Sequence, residues 1–251
     1  MNFSLKGRVA WVTGSTTGLG KAIALELGLA GAKVALNYNN NQARAEQSFA
    51  EFRAAGCTGV LTRGNVTDAD EIGRMSREIT EALGPVDILV PNATPDQPHK
   101  AIEDYDWAFY QSMLDFFVKS PFLLTKACLP HMKKQRWGRI VNIGSEVFRR
   151  GVPNFSGYVA AKGGQEGWSR SMATELAPHG ITVNIVSPGW IPVERHANDP
   201  KEELDGYLKL IPAGHWGKPK DVAGAVQYLA SPEAGFVTGQ SFAVNGGMTV
   251  G

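Results

Sequence analysis

Cysteine is nearly missing from this chain. Cys57 and Cys128 are the only two in 251 residues, too few for a disulfide framework and without metal-ligand spacing. They read as free thiols in a reducing compartment, so a cytoplasmic protein is expected. No apolar run reaches the roughly 18 residues a membrane-spanning helix needs, and Met1–Lys6 leads into the first apolar segment without a leader pattern. No block of one charge stands out: 25 basic and 24 acidic residues leave a net charge of +1. Neither nucleic acid nor a membrane is therefore an expected partner. The histidines (His99, His131, His179, His196, His215) show no ligand spacing, and no metal is expected. Internal repeats and low-complexity tracts are absent as well. What is present is a globular composition, 43% hydrophobic and 20% charged, with ample material for a core.

Apolar runs alternate with helical patterns along the whole sequence. Strands are predicted at Val9–Val12, Lys33–Asn37, Gly59–Thr62, Val86–Val90, Arg139–Ile143, Thr182–Val186 and Ser241–Val244. Helices are predicted near Leu19–Ala30, Gln42–Ala55, Asp68–Leu83, Tyr105–Lys134, Phe155–Ala177 and Pro219–Ala230. Such alternation implies β-α-β crossovers. The fold class is α/β: a Rossmann-type doubly wound parallel sheet of about seven strands with helices on both faces. Residues 1–251 read as a single dinucleotide-binding and catalytic domain. The stretch from Trp190 to Trp216 breaks the rhythm with Pro192, Pro200 and Pro212 and a short helical piece at Lys201–Leu210. It reads as a lid or substrate loop over about 190–216.

Two motifs carry chemistry. Thr13-Gly14-Ser15-Thr16-Thr17-Gly18-Leu19-Gly20 follows the first strand and opens the first helix. A strand, a glycine-rich turn and a helix N-terminus in that order suit a pyrophosphate, because free N–H groups and the helix dipole favour an anion. The second motif is Tyr158-Val159-Ala160-Ala161-Lys162, with Ser145 thirteen positions upstream of the tyrosine. Positions i and i+4 share a helix face, so the ammonium of Lys162 is expected to lower the Tyr158 pKa. A phenol so tuned can give a proton to, or take one from, a carbonyl or alcohol oxygen, with Ser145 holding that oxygen.

Together these motifs resemble the short-chain dehydrogenase/reductase family, of the small single-domain kind. Asn92-Ala93 after the fourth strand, Pro188-Gly189 after the sixth, and Gly239-Gln240 to Gly246-Gly247 extend the resemblance from Leu5 to about Thr249. It implies Ser145, Tyr158 and Lys162 as catalytic residues, with Lys162 also binding the nicotinamide ribose. It further implies a cofactor site built from Gly14, Ser15, Thr17, Gly18, Leu19, Asn37, Asn65, Val66, Asn92, Ala93, Tyr158, Lys162, Pro188, Gly189 and Ile191. Asn37 takes the strand-end position where NAD-selective enzymes place an acidic side chain. The 2′-phosphate of NADP would meet no repulsion there, and Arg44, Ser15, Thr16 and Thr17 are candidates to hold it. NADP is favoured, with NAD the alternative. The resemblance also implies a homo-oligomer, a tetramer or dimer, formed through the helices around Tyr105–Lys134 and Phe155–Ala177.

Two departures from the family pattern matter. Thr94 stands where the family has glycine, in a loop that passes close to the cofactor. Phe117 stands where the family has the asparagine whose water links the lysine to solvent. Phenylalanine has no hydrogen-bonding atom, and Asp115 lies about 160° away around an α-helix, at about 100° per residue. Near the site, Arg149 and Arg150 are candidates to grip an anionic group. The function expected is an NAD(P)-dependent oxidoreductase that transfers a hydride between nicotinamide and a carbonyl or secondary alcohol. The alternative is a dinucleotide-binding protein with little catalysis.

Overall fold

Along Val9–Val12 (β1), Val9 and Trp11 face one side and Ala10 and Val12 the other, and all four are buried. A strand buried on both faces belongs inside a parallel sheet covered on two sides. The computed structural model describes residues 3–250. Its seven strands are β1, Lys33–Tyr38 (β2), Gly59–Arg63 (β3), Ile88–Val90 (β4), Gly138–Ile143 (β5), Ile181–Pro188 (β6) and Ser241–Val244 (β7). They form one sheet in the order β3-β2-β1-β4-β5-β6-β7, every pair parallel. The order reverses between β1 and β4, which opens a crevice at their C-terminal ends, where ligands bind in such sheets.

Gly18–Leu29 (α1), Gln42–Ala54 (α2) and Pro219–Ala230 (α9) cover one face, with Ile23, Leu27, Phe52, Val222 and Val226 in its core. The other face carries Ala69–Leu83 (α3), Ser120–Gln135 (α5) and Ser156–Leu176 (α7), with Met75, Ile79, Leu124, Met132 and Leu176 packed around Trp11. Among the described residues, no helix is long and apolar enough to cross a membrane. The helix predicted from Asp68 begins on an N-cap: Asp68 accepts from the N–H groups of Asp70 (2.9 Å) and Glu71 (3.0 Å). Gly84, at φ +106°, ends the helix.

The long helix predicted over Tyr105–Lys134 is instead three pieces. Trp107–Leu114 (α4) runs into a π-helical turn at Asp115–Lys119, and α5 follows. Pro121 supplies the physical reason. It has no N–H to donate to the carbonyl of Phe117, so the regular ladder cannot close there. The remaining α-helices among the described residues are the short Val147–Arg150 (α6) after β5 and Lys201–Leu208 (α8) within the predicted lid.

Candidate active site

The turns after β1 and β4 are locked together. Gly14 and Gly18 have φ of +59° and +55°, and a Cβ on Gly14 would lie 2.8 Å from the Ala93 Cα. The Thr13 hydroxyl accepts from the N–H groups of Asn92 (2.9 Å) and Ala93 (3.0 Å). In return the Asn92 amide donates to the carbonyls of Thr13 (2.9 Å) and Gly14 (3.1 Å). Asn92 is thus a brace between two loops of the crevice. Thr94 is exposed, and its hydroxyl donates to the Pro95 carbonyl at 3.3 Å.

The residues fit a diphosphate-bearing cofactor on one direct observation. The Gly18 N–H at the start of α1 donates to the Glu194 carboxylate at 3.0 Å, and the Thr17 hydroxyl lies 3.4 Å from the same oxygen. The glycine turn therefore already holds an anion, a carboxylate in the position assigned to phosphate. Leu19, next in the turn, is half-buried against the core.

Two assigned residues face inward and are corrected. The Ser15 hydroxyl donates to the Val12 carbonyl (2.7 Å) and accepts from the Asn37 N–H (3.0 Å). The Asn37 side chain accepts from the Gly14 N–H (3.1 Å) and donates to the Gly64 carbonyl (3.1 Å). Both are buried, so neither side chain can meet a 2′-substituent. They stiffen the turn from below instead. The strand-end position belongs to Tyr38, paired in register with Arg63, whose guanidinium donates to the Asn39 carbonyl at 3.1 Å. That Arg63 lies beside this position was not legible, because nothing local links it to β2 before the register is known. Asn65 closes a turn onto the N–H (3.0 Å) and hydroxyl (2.9 Å) of Thr67, and Val66 is buried in the core beside α3.

On the other side of the crevice, Ser145 follows β5 and Tyr158 lies in the first turn of α7. Gly144 lets the strand end pass close to β6; a Cβ there would lie 2.6 Å from Ile185. Lys162, one turn beyond Tyr158, is only 5% exposed. Its Nζ donates to the Ile143 carbonyl (2.6 Å) and the Gln165 side-chain oxygen (3.2 Å), and sits 3.8 Å from the Phe117 ring centroid. Phe117 is buried, edge-on to Tyr158 at 5.2 Å. Asp115 bonds to Gln111 at 3.0 Å and does not take its place.

The expected effect of Lys162 on Tyr158 is corrected. Burial raises the Tyr158 pKa above its ordinary 10.0; a hydrogen bond with Ser145 and the charge of Arg195 only partly oppose this. The ammonium is turned toward the Ile143 carbonyl and the Phe117 face, 5.6 Å from the Tyr158 ring centroid. Burial also pushes Lys162 itself well below 10.5. The cation that favours the phenolate comes from the lid, as Arg195.

The segment predicted as a lid packs on an aromatic cluster. The Trp190 N–H donates to the Tyr207 hydroxyl at 2.7 Å, and that hydroxyl donates to Glu146. Tyr207 stacks on Trp216 with centroids 5.6 Å apart. The Gly189 N–H, after Pro188, donates to the Val244 carbonyl at 3.1 Å, and Ile191 is buried in the core. The two arginines named as candidates for an anionic group are exposed and already pair with carboxylates. Arg150 is 2.8 Å from the buried Glu146 carboxylate, and Arg149 is 3.8 Å from Glu166.

Known proteins are similar to this chain over nearly its full length. The sequence model of the family described as enoyl-(acyl carrier protein) reductase matches residues 14–249. A 3-oxoacyl-[acyl-carrier-protein] reductase of Synechocystis sp. is 38% identical over 252 residues, covering 98% of this chain and 99% of that protein. Another protein of that name, from Haemophilus influenzae, is 41% identical over 246 residues, covering 97% and 99%. A crystal structure of a dehydrogenase/reductase from Sinorhizobium meliloti 1021 superposes with a TM-score of 0.91 at 35% identity, covering 99% of this chain and 98% of that one. With the glycine turn, the serine and the tyrosine–lysine pair gathered around one crevice, and with likeness of this extent, the chain belongs to the short-chain dehydrogenase/reductase family.

Proposed function

We propose that this oxidoreductase interconverts a carbonyl and a secondary alcohol with NADP, using Ser145, Tyr158 and Lys162. The observation that carries the reading is the convergence of Tyr158 and Ser145, hydrogen-bonded to each other, beside a glycine turn that already binds a carboxylate. The bound dinucleotide would supply or accept the hydride. Gly14, Thr17, Gly18, Leu19, Asn92 and Ala93 would form its phosphate and ribose wall, with Pro188, Gly189 and Ile191 beside the nicotinamide.

In the reducing direction the Tyr158 hydroxyl gives its proton to the substrate oxygen, which Ser145 holds by a hydrogen bond. A raised phenol pKa keeps Tyr158 protonated and ready to donate at neutral pH. Lys162 offers its ammonium to ribose hydroxyls. Choice of NADP is supported by two exposed arginines near the end of β2, Arg44 and Arg63, and by the lack of any carboxylate in Asn37–Asn41. The relatives named as 3-oxoacyl-[acyl-carrier-protein] reductases favour a 3-oxoacyl thioester as the first substrate to try. A second copy of the chain would cover the helix layer that exposes Trp107 and Phe122.

The test is Tyr158→Phe. Turnover of a 3-oxoacyl thioester or simple ketone with NADPH should fall by about 10²–10⁴, while NADPH affinity by fluorescence titration stays close to wild type. A second reading, dinucleotide binding with little catalysis, is favoured by Phe117 lying against both Tyr158 and Lys162. Tight NADPH binding by wild type, with no turnover across a panel of ketones, thioesters and sugars, would select it.

A further inference from the structure

The family's helix asparagine is replaced by Phe117, which cannot accept a hydrogen bond. Lys162 nevertheless has a side-chain acceptor. The Gln165 oxygen lies 3.2 Å from its Nζ, and both residues are buried, at 2% and 5% exposure. Gln165 sits three positions on along α7, where i and i+3 side chains meet. Its own backbone is fixed to the sheet. The Ser169 hydroxyl donates to the Gln165 carbonyl (2.7 Å) and accepts from the Asn142 amide (3.0 Å). Asn142 directly precedes Ile143, whose carbonyl is the other acceptor for Lys162. The two acceptors are thus held in register by one β5–α7 bridge. With the Phe117 ring 3.8 Å from Nζ, they surround the ammonium.

We propose that Gln165 is a positioning residue that holds Lys162 in place of the missing asparagine, so that Phe117 and Gln165 form one compensated pair. The inference rests on the proposed role of Lys162 in catalysis. An amide oxygen is a suitable partner because it favours the charged amine without neutralising it, and the Phe117 face acts in the same direction. A buried ammonium left without acceptors would lose its proton or its orientation.

Few other groups can titrate against Lys162. On α7, Tyr158 is one turn back, and Glu166 one turn on is tied to Arg170 at 2.5 Å. β5 contributes the Ile143 carbonyl and, beyond it, Ser145. The π turn contributes Phe117, with Asp115 bonded to Gln111, and the lid contributes Arg195 through Tyr158.

The experiment uses Gln165→Met, of nearly equal shape without an acceptor, and Gln165→Glu, of equal shape with a charged one. For wild type and both variants, kcat and KM are measured across pH for carbonyl reduction with NADPH. Gln165→Met should lower kcat about tenfold, with KM nearly unchanged, and move the alkaline limb to lower pH. Gln165→Glu should move that limb to higher pH, and Phe117→Asn added to Gln165→Met should recover most of the lost kcat. An NMR titration of the free protein, following the Lys162 ε-carbon shift assigned with Lys162→Met, reads the same titration without turnover and without a reagent having to reach the buried amine. It should shift in the same two opposite directions. Identical Lys162 titration in folded wild type, Gln165→Met and Gln165→Glu overturns the inference, whatever the activity. An inactive wild type with the expected shifts would instead sink the catalytic reading and leave the positioning intact.

Discussion

At Lys162 an amine is buried inside the fold, and stability should record that. Burial depresses its pKa in the folded protein, while the unfolded chain returns to about 10.4. Between those two values the unfolded state binds more protons, so stability rises with pH across that window. Below the folded-state value the penalty is present in full. Lys162→Met lacks this dependence. Urea midpoints at pH 7, 8.5 and 10 should therefore show wild type gaining on Lys162→Met as pH rises; a constant gap would contradict the burial argument. The same residue shows a limit of reading from spacing. Tyr158 and Lys162 were legible as one constellation because four positions make a helical turn. The direction of the ammonium was not, since it depends on the Ile143 carbonyl, Gln165 and Phe117, which reach it from three places in the chain.

Elements explain why some assignments were legible and others misplaced. Apolar runs marked all seven strands: those buried on both faces, such as β1, β5 and β6, leave a continuous signal, and the partly buried edge strands β3 and β7 keep enough of it. Which side chain at a strand end meets the ligand is a finer matter. Along β2 the inward residue is Asn37, whose polarity serves the Gly14 turn and Gly64 and so resembled a ligand contact. The π turn had one visible sign, Pro121, and the periodicity around it gave no other. Between lid and α1 the decisive contact is Glu194 on the Gly18 N–H. A dinucleotide diphosphate must displace that carboxylate to reach the same donor. Glu194→Gln should therefore tighten NADPH binding about two- to fivefold, matching roughly 0.3–1 kcal/mol for a charge at a helix N-terminus. The gain should shrink in high salt, because the interaction is exposed. Equal or weaker binding by the variant in low-salt titrations would mean that Glu194 does not compete.

Across the whole molecule, the crevice is assembled from the C-terminal ends of strands distant in sequence, so its contents could be named from motifs but not ordered. β1 and β4 adjoin in the sheet, yet Thr13 and Asn92 stand 79 positions apart in the chain. A ligand that spans such a junction ties β1, β4, β5 and β6 together and should stabilise the native state as a unit. Saturation at about 100 times Kd adds about 2.7 kcal/mol. For a chain of this size that is a rise in Tm of about 5–10 °C. Measured at fixed protein concentration, since a second copy of the chain would itself affect Tm, NADPH should give the larger rise and NADH the smaller at equal concentration. Arg44→Ala combined with Arg63→Ala should bring the two values together by lowering the NADPH response alone. If NADH instead gave the larger rise, and the double substitution left both unchanged, the two arginines would not be reading a 2′-phosphate and the preference for NADP would fall.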